Sequence, residues 1–369
     1  MSKTEASPPA PARRRSRFWL YFPYVVLLVL GAGLSAFWFI ARDRVEAAVD
    51  GWLAHEAREG REWSCPNRVI SGFPTRFEVR CERPAFAGVV DGARVSGEMG
   101  GFLAVARIYD PNLVGFNFTG PLVVRDGDSG LAARVDWRGF SMSVRRTADS
   151  FSRASASVLK PVVDLLGPDG AETRVGEARA WEAHLRPDPS ASASDDMWDV
   201  AAQLADASLP ALNGFFGDSR PLTVEFQGTV SHARLLRSGL GPQALDRWRD
   251  AGGAIGVKLL KLARGDQVVE ARGQLGLDGE RRPAGRLTVQ AAGVGPLLQR
   301  VLAGAGGGLA AGLGGALAGG LAPRAGKAPA GAAAGEPQQP RLTPLPPVTL
   351  ADGRLMIGPF ALMRLPPLN

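Results

Sequence analysis

Two cysteines and three histidines in 369 residues leave little of the usual catalytic and metal-binding chemistry. His55, His184 and His232 stand far apart, without Glu or Cys at ligand spacing, so each reads as a surface or interfacial imidazole and not as part of a zinc site. The chain has no Gly-x-Ser-x-Gly elbow, no Walker A loop and no Gly-x-Gly-x-x-Gly after a strand. Asp126-Gly-Asp128-Ser-Gly130 imitates the start of a calcium loop, but Trp137 stands at its twelfth position, where a bidentate Glu is needed; a polar hairpin turn is the reading. Asp195-Asp196 lies in a loop rich in Ser and Ala and forms no recognisable acid/base motif. No catalytic, cofactor-binding or metal residue is expected, no cofactor is implied, and the chain does not read as an enzyme.

Charge of one sign is missing too, once the net +7 is divided along the chain. Residues 1–17 hold five basic residues and one acid, leaving 38 basic against 35 acidic residues in the remainder. The arginines of that remainder alternate along expected strands and form no blocks, so they read as solvated sheet faces, and nucleic acid is not an expected partner.

What the sequence does have is a long apolar run. Phe18 to Ile40 are 23 residues without a charge, opening Phe-Trp-Leu-Tyr-Phe and closing Phe-Trp-Phe-Ile. As a helix the run measures about 34 Å, enough to cross a hydrocarbon core of about 30 Å. It is too long for a cleaved secretory signal, and its aromatic ends suit membrane interfaces. Arg13, Arg14, Arg15 and Arg17 precede it, while Arg42, Asp43, Arg44 and Glu46 mix signs beyond it. The positive-inside rule then leaves the N-terminus in the cytoplasm. The expectation is a single-pass protein of the inner (cytoplasmic) membrane with the bulk of the chain in the periplasm.

Residues 1–17 read as a disordered cytoplasmic tail and 18–40 as the transmembrane helix. Val45, Val49 and Trp52 continue outward as one stripe of an amphipathic helix over 41–62, which should lie on the folded domain. A β-rich exported domain is expected over 63–302, then a Gly/Ala/Pro-rich low-complexity insert over 303–340, then a C-terminal β element over 341–369 that returns to the domain. The run Val301 to Ala322 is uncharged, but its Gly and Ala content is too weakly apolar for a second span.

Period-2 alternation recurs through the exported part. Phe73, Thr75, Phe77, Val79 and Cys81 oppose Pro74, Arg76, Glu78 and Arg80; Val135 and Trp137 oppose Arg134, Asp136 and Arg138. Trp181, Ala183 and Leu185 form a dry face, as do Leu222, Val224 and Phe226; Trp198, Val200, Ala202 and Leu204 also alternate and read as a strand, though their Ala-rich composition would equally suit a helix. Leu209 to Pro221 reads as a polar loop, Gln243 to Asp250 and Gly295 to Leu302 as short helices, and Val269 to Ala291 as a hairpin turning at Asp278-Gly279. The fold class expected is mainly β, a curved antiparallel sheet built as a meander of hairpins, with an N-terminal transmembrane helix and a few short helices. Cys65 and Cys81, 16 positions apart and in a compartment that permits disulfides, are expected to pair; two free thiols or half of a metal site are the other readings.

Several of these segments carry a resemblance. The Cys65 to Cys81 segment with Gly72-Phe73-Pro74, Tyr109-Asp-Pro111-Asn112 with Gly120-Pro121, Trp248 with Gly252-Gly253, the Gly273 to Gly285 hairpin, and Asp352-Gly353, Gly358-Pro359 and Leu365-Pro-Pro-Leu368 together resemble the bacterial domain-of-unknown-function 2125 family. The likeness spans nearly all of residues 18–369. It implies an anchored alphaproteobacterial envelope protein and brings no chemistry with it. The cadence of strand, Asp-Gly turn and strand is more distantly similar to AsmA-like envelope proteins, whose curved sheets accommodate lipid. The function expected is that of a non-enzymatic envelope protein whose sheet binds lipid or another hydrophobic ligand, with Phe73, Phe77, Trp181 and Phe226 as the candidate apolar groove. The alternative is an envelope scaffold or protein-interaction module that engages other envelope proteins through sheet edges.

Overall fold

The structure, a computed structural model, describes residues 18–90, 93–147, 151–192, 196–236, 239–295, 341–358 and 360–368. The tail at 1–17, the insert at 303–340 and all but Gly295 of the helix expected at Gly295 to Leu302 lie outside the described residues.

The apolar run and the stripe beyond it form one unbroken helix, α1 (Phe18–Arg58), long and apolar enough to cross a membrane. It stops at Arg58, short of the expected residue 62, because Gly60 turns the chain at φ +75° and β1 (Glu62–Ser64) begins. There follow β2 (Val69–Ser71), β3 (Arg76–Glu82), β4 (Ala85–Val90), β5 (Ala93–Arg107), β6 (Asp110–Asp126), β7 (Ala132–Asp136), β8 (Gly139–Arg146), β9 (Phe151–Leu159), β10 (Val162–Leu166), β11 (Glu172–Glu177), β12 (Ala180–Pro187) and β13 (Trp198–Ala207). After α2 (Pro210–Phe216) come β14 (Leu222–Val230), a 3-10 turn (Ala233–Leu236), α3 (Pro242–Asp250), β15 (Ile255–Arg264), β16 (Gln267–Leu277), β17 (Pro283–Ala292), β18 (Thr343–Ala351), β19 (Arg354–Ile357) and β20 (Phe360–Arg364).

These strands form one large curved antiparallel sheet. Its main ladder runs β3, β5, β6, β8, β9, β12 and then in chain order to β20. A side branch leaves it where the long β5–β6 hairpin bends. The first half of β5 pairs with β4, and the second half of β6 with β7, which leads to β10 and β11. The bend needs glycine at its centre, since a Cβ on Gly100 would meet the Gly120 carbonyl oxygen at 2.4 Å. The bend and a register shift between Met99 and Gly101 coincide.

Three local expectations need correction. Phe73 to Thr75 are not strand: Gly72 at φ +102° and a bond from the Arg76 amide to the Gly72 carbonyl make a turn, and β3 starts only at Arg76. Trp137 lies just past β7, its indole N–H donating to the Phe118 carbonyl at 2.9 Å, so the alternating pair in that strand is Ala133 and Val135. Leu209 to Pro221 contains α2, which Pro210 starts and Gly217, at φ +80°, ends. The alternation elsewhere corresponds to β12, β13, β14 and the β16–β17 hairpin. Cys65 and Cys81 stand in disulfide geometry with Cα atoms 5.3 Å apart.

Packing is uneven along the sheet. Val257, Ala271, Leu287 and Val289 form a buried cluster backed by Phe226, Leu260 and Leu345 on the later strands. No large side chain among the described residues is wholly buried. Of the helices, α1 meets the sheet at β1 and through Trp38 at β3, α2 meets it at β11, and α3 packs on the 3-10 turn.

Candidate functional site: an apolar face that begins at the helix

Cross-strand pairing places residues on a common face, and following it from strand to strand assembles a surface no single segment reveals. One row starts at Phe77 and runs Ala106, Val114, Val144, Ala154, Leu185, Val200, Gly228, Val257, Gly273, Leu287, Val348 and Ile357. The next starts at Val79 and passes through Phe116, Met142 and Ala183 to Phe226, Leu260 and Val289. The third starts at Cys81 and passes through Phe102, Phe118, Phe140 and Val158 to Trp181, Leu204 and Val224. None of the three contains a charged residue. At about 4.8 Å per strand the face extends roughly 60 Å, with rows about 7 Å apart.

The two ends of this face differ. On β5, β6 and β8, Phe102, Phe116, Phe118 and Phe140 are only half-buried, stacked on one another at centroid distances of 4.5 to 6.4 Å. Trp181 remains 37% exposed. Toward β14–β17 the same rows enter the buried cluster, where Phe226 packs. The face is therefore more open over β5 to β12 and closed by packing over β14 to β17.

The start of the face is joined to α1. Trp38, 4% exposed, stacks on Phe77 at 5.7 Å, meets Phe73 edge-on at 5.6 Å and donates its indole N–H to the Arg76 carbonyl at 3.0 Å. Phe73 also meets Phe39 at 6.2 Å and is otherwise 53% exposed. The aromatic belt read from the sequence thus needs a correction at Trp38, whose side chain faces protein. Farther out, Trp52 packs on Trp63, which packs on Phe86, while Arg68 bonds Asp50 at 2.7 Å. Of the helical stripe, Trp52 reaches the sheet through these contacts.

Of the four groove candidates, Phe77, Trp181 and Phe226 share one face, and Phe73 sits beside its start. Sequence reasoning missed Trp38 and the Phe102, Phe116, Phe118 and Phe140 ladder. Alternation at Phe116 and Phe118 and at Phe140 and Met142 was the available signal. The histidines stay on separate elements, with His232 in a turn after β14 and not in a strand. Asp196 accepts from the Arg234 amide at 2.8 Å, a structural role.

Ion pairs line one margin of the face. Arg179 bonds Asp206 at 2.7 Å, and Arg220 bonds Asp266. Side-chain hydrogen bonds from these arginines hold both carboxyls below their ordinary value. A depressed folded-state pKa contributes stability above the unfolded value and loses it as pH falls through the folded one. Urea midpoints should therefore hold steady at neutral pH and fall below about pH 4, less steeply in Arg179→Gln. Stabilisation on acidification contradicts this.

A family model described as "Uncharacterized protein conserved in bacteria (DUF2125)" matches residues 38–366. No curated protein matches the chain. The chain belongs to that family, and the matched region opens at Trp38, the helix residue docked on the sheet.

Proposed function

We propose that this member of the DUF2125 family is a non-enzymatic envelope protein, anchored in the inner membrane by Phe18 to Ile40, whose apolar sheet face receives the acyl chains of lipid from that membrane. The observation that carries the reading is the junction at Trp38. Trp38 belongs to the last turns of the charge-free run, and Phe77, on which it stacks, is the first residue of a row without charge. An acyl chain leaving the bilayer there passes onto half-exposed aromatic surface along rows that contain no charged residue, so its movement along them needs no desolvation of charge.

Two measurements test the reading. Native mass spectrometry of detergent-purified full-length protein should show co-purifying phospholipid that disappears in Trp181→Glu while the fold remains. Lipid-free wild type contradicts it. For topology, a reporter fused after Asn369 should be active on the periplasmic side, as one span with the N-terminus in the cytoplasm requires. Activity in the cytoplasm contradicts the assignment.

A further inference from the structure

The opposite face of the same sheet is polar and holds a cleft of a different character. Ser155, His184, Ala201 and Gln227 lie in one cross-strand row over β9, β12, β13 and β14, alternating with the apolar rows. Together with Arg153, Arg186, Asp199 and Lys258 they line a cleft of about 570 Å³, a size suited to a small organic ligand. The register shifts between Gln227 and Gly228 and between Val257 and Leu260 fall beside Lys258 and locally bend the sheet.

Its charge is unbalanced. Lys258 and Arg186 both hold Asp199, at 2.8 and 3.2 Å, and Lys258 lies 3.9 Å from Asp188. Arg153 has no carboxylate partner among the described residues, and the lining itself holds three cations, Arg153, Arg186 and Lys258, against one acid, Asp199, with Asp188 and Glu225 beside it. Donors dominate the lining: two guanidinium groups, the Ser155 hydroxyl facing His184 Nδ1 at 3.0 Å, and a Gln227 amide that uses one N–H on Glu225 at 2.7 Å. Planar guanidinium forks match the oxygens of phosphate and carboxylate.

We propose that this cleft binds the oxyanion group of a small anionic molecule, with Arg153 and Arg186 as its charge-assisted donors and Ser155 and Gln227 as neutral ones. By strand alternation the side chains of the apolar rows project from the other side of the strands, although Leu185, Val200 and Gly228 of the first row also border the cleft, so this ligand is separate from the acyl chains proposed above. The oxyanion comes either from a free phosphate-bearing compound or from a lipid headgroup, and the two sources are distinguishable.

The test is calorimetric titration of the full-length protein in detergent with inorganic pyrophosphate, alongside sedimentation of nanodisc-held protein with phosphatidylglycerol or phosphatidylcholine vesicles. Saturable binding should weaken about tenfold in Arg153→Ala, the loss of one charge-assisted hydrogen bond, and be unchanged in Arg272→Ala, an exposed arginine elsewhere on the sheet. If Arg186→Ala lowers the unfolding midpoint, Arg153→Ala, whose arginine has no ion pair to lose, decides alone. Pyrophosphate binding identifies a free anion; binding of phosphatidylglycerol vesicles alone, lost in Arg153→Ala, identifies a headgroup. No saturable binding to either probe, or binding indifferent to Arg153→Ala, overturns the proposal.

Discussion

Phe226→Ser should lower the unfolding free energy by about 3 kcal/mol, whereas Trp181→Ser should change it by less than about 1 kcal/mol and remove bound lipid. Both residues lie on the same face of the sheet, two strands apart, and differ in what covers them. Phe226 packs against the buried Val257, Ala271, Leu287 and Val289 cluster, so truncation leaves a cavity and puts a hydroxyl in an apolar environment. Trp181 is 37% exposed and lies outside the buried cluster, so its truncation leaves no enclosed cavity. Equilibrium urea unfolding of both variants measures the difference. Equal destabilisation would mean the open end of the face is core like the closed end.

Reduction of Cys65–Cys81, or Cys65→Ser, should lower stability by about 3 kcal/mol, the loop-closure entropy of a cross-link spanning 16 positions. The bond ties the loop after β1 to the end of β3, and Cys81, 3% exposed, starts the third apolar row. Loosening it frees the segment that carries Phe73 and Phe77 against Trp38, so bound lipid should fall together with stability. Thiol alkylation of protein taken directly from cells should find no free thiol before reductant is added. Two titratable thiols would contradict the pairing.

The sequence displayed the strands and their dry faces plainly, because alternation is local and survives without knowledge of partners. Trp181, Ala183 and Leu185 could be placed on one side of a strand from their spacing alone. Their meeting with Val158, Ala156 and Ala154 on one edge, and with Leu204, Ala202 and Val200 on the other, depends on register. Register is a property of two segments at once. The continuous face was therefore out of reach, although its pieces were named. Trp38 was hidden for another reason. An aromatic at the end of a charge-free run has the same local signature whether it faces lipid or protein, and only the fold of β3 against α1 distinguishes them. The α2 helix was masked by the glycines and prolines around it, residues that mark loops and helix ends alike.

The most direct measurement is photo-crosslinking from single positions on the two sides of the sheet. A diazirine amino acid at Phe118 or Trp181, on the apolar face, and at Ser141 or Gln203, exposed on the opposite face, would be irradiated in cells and the adducts identified by mass. Acyl-chain adducts at Phe118 and Trp181 and none at Ser141 and Gln203 are the expected result. Lipid adducts absent from Phe118 and Trp181, or equally frequent on both faces, would contradict the assignment of the apolar face as a lipid surface.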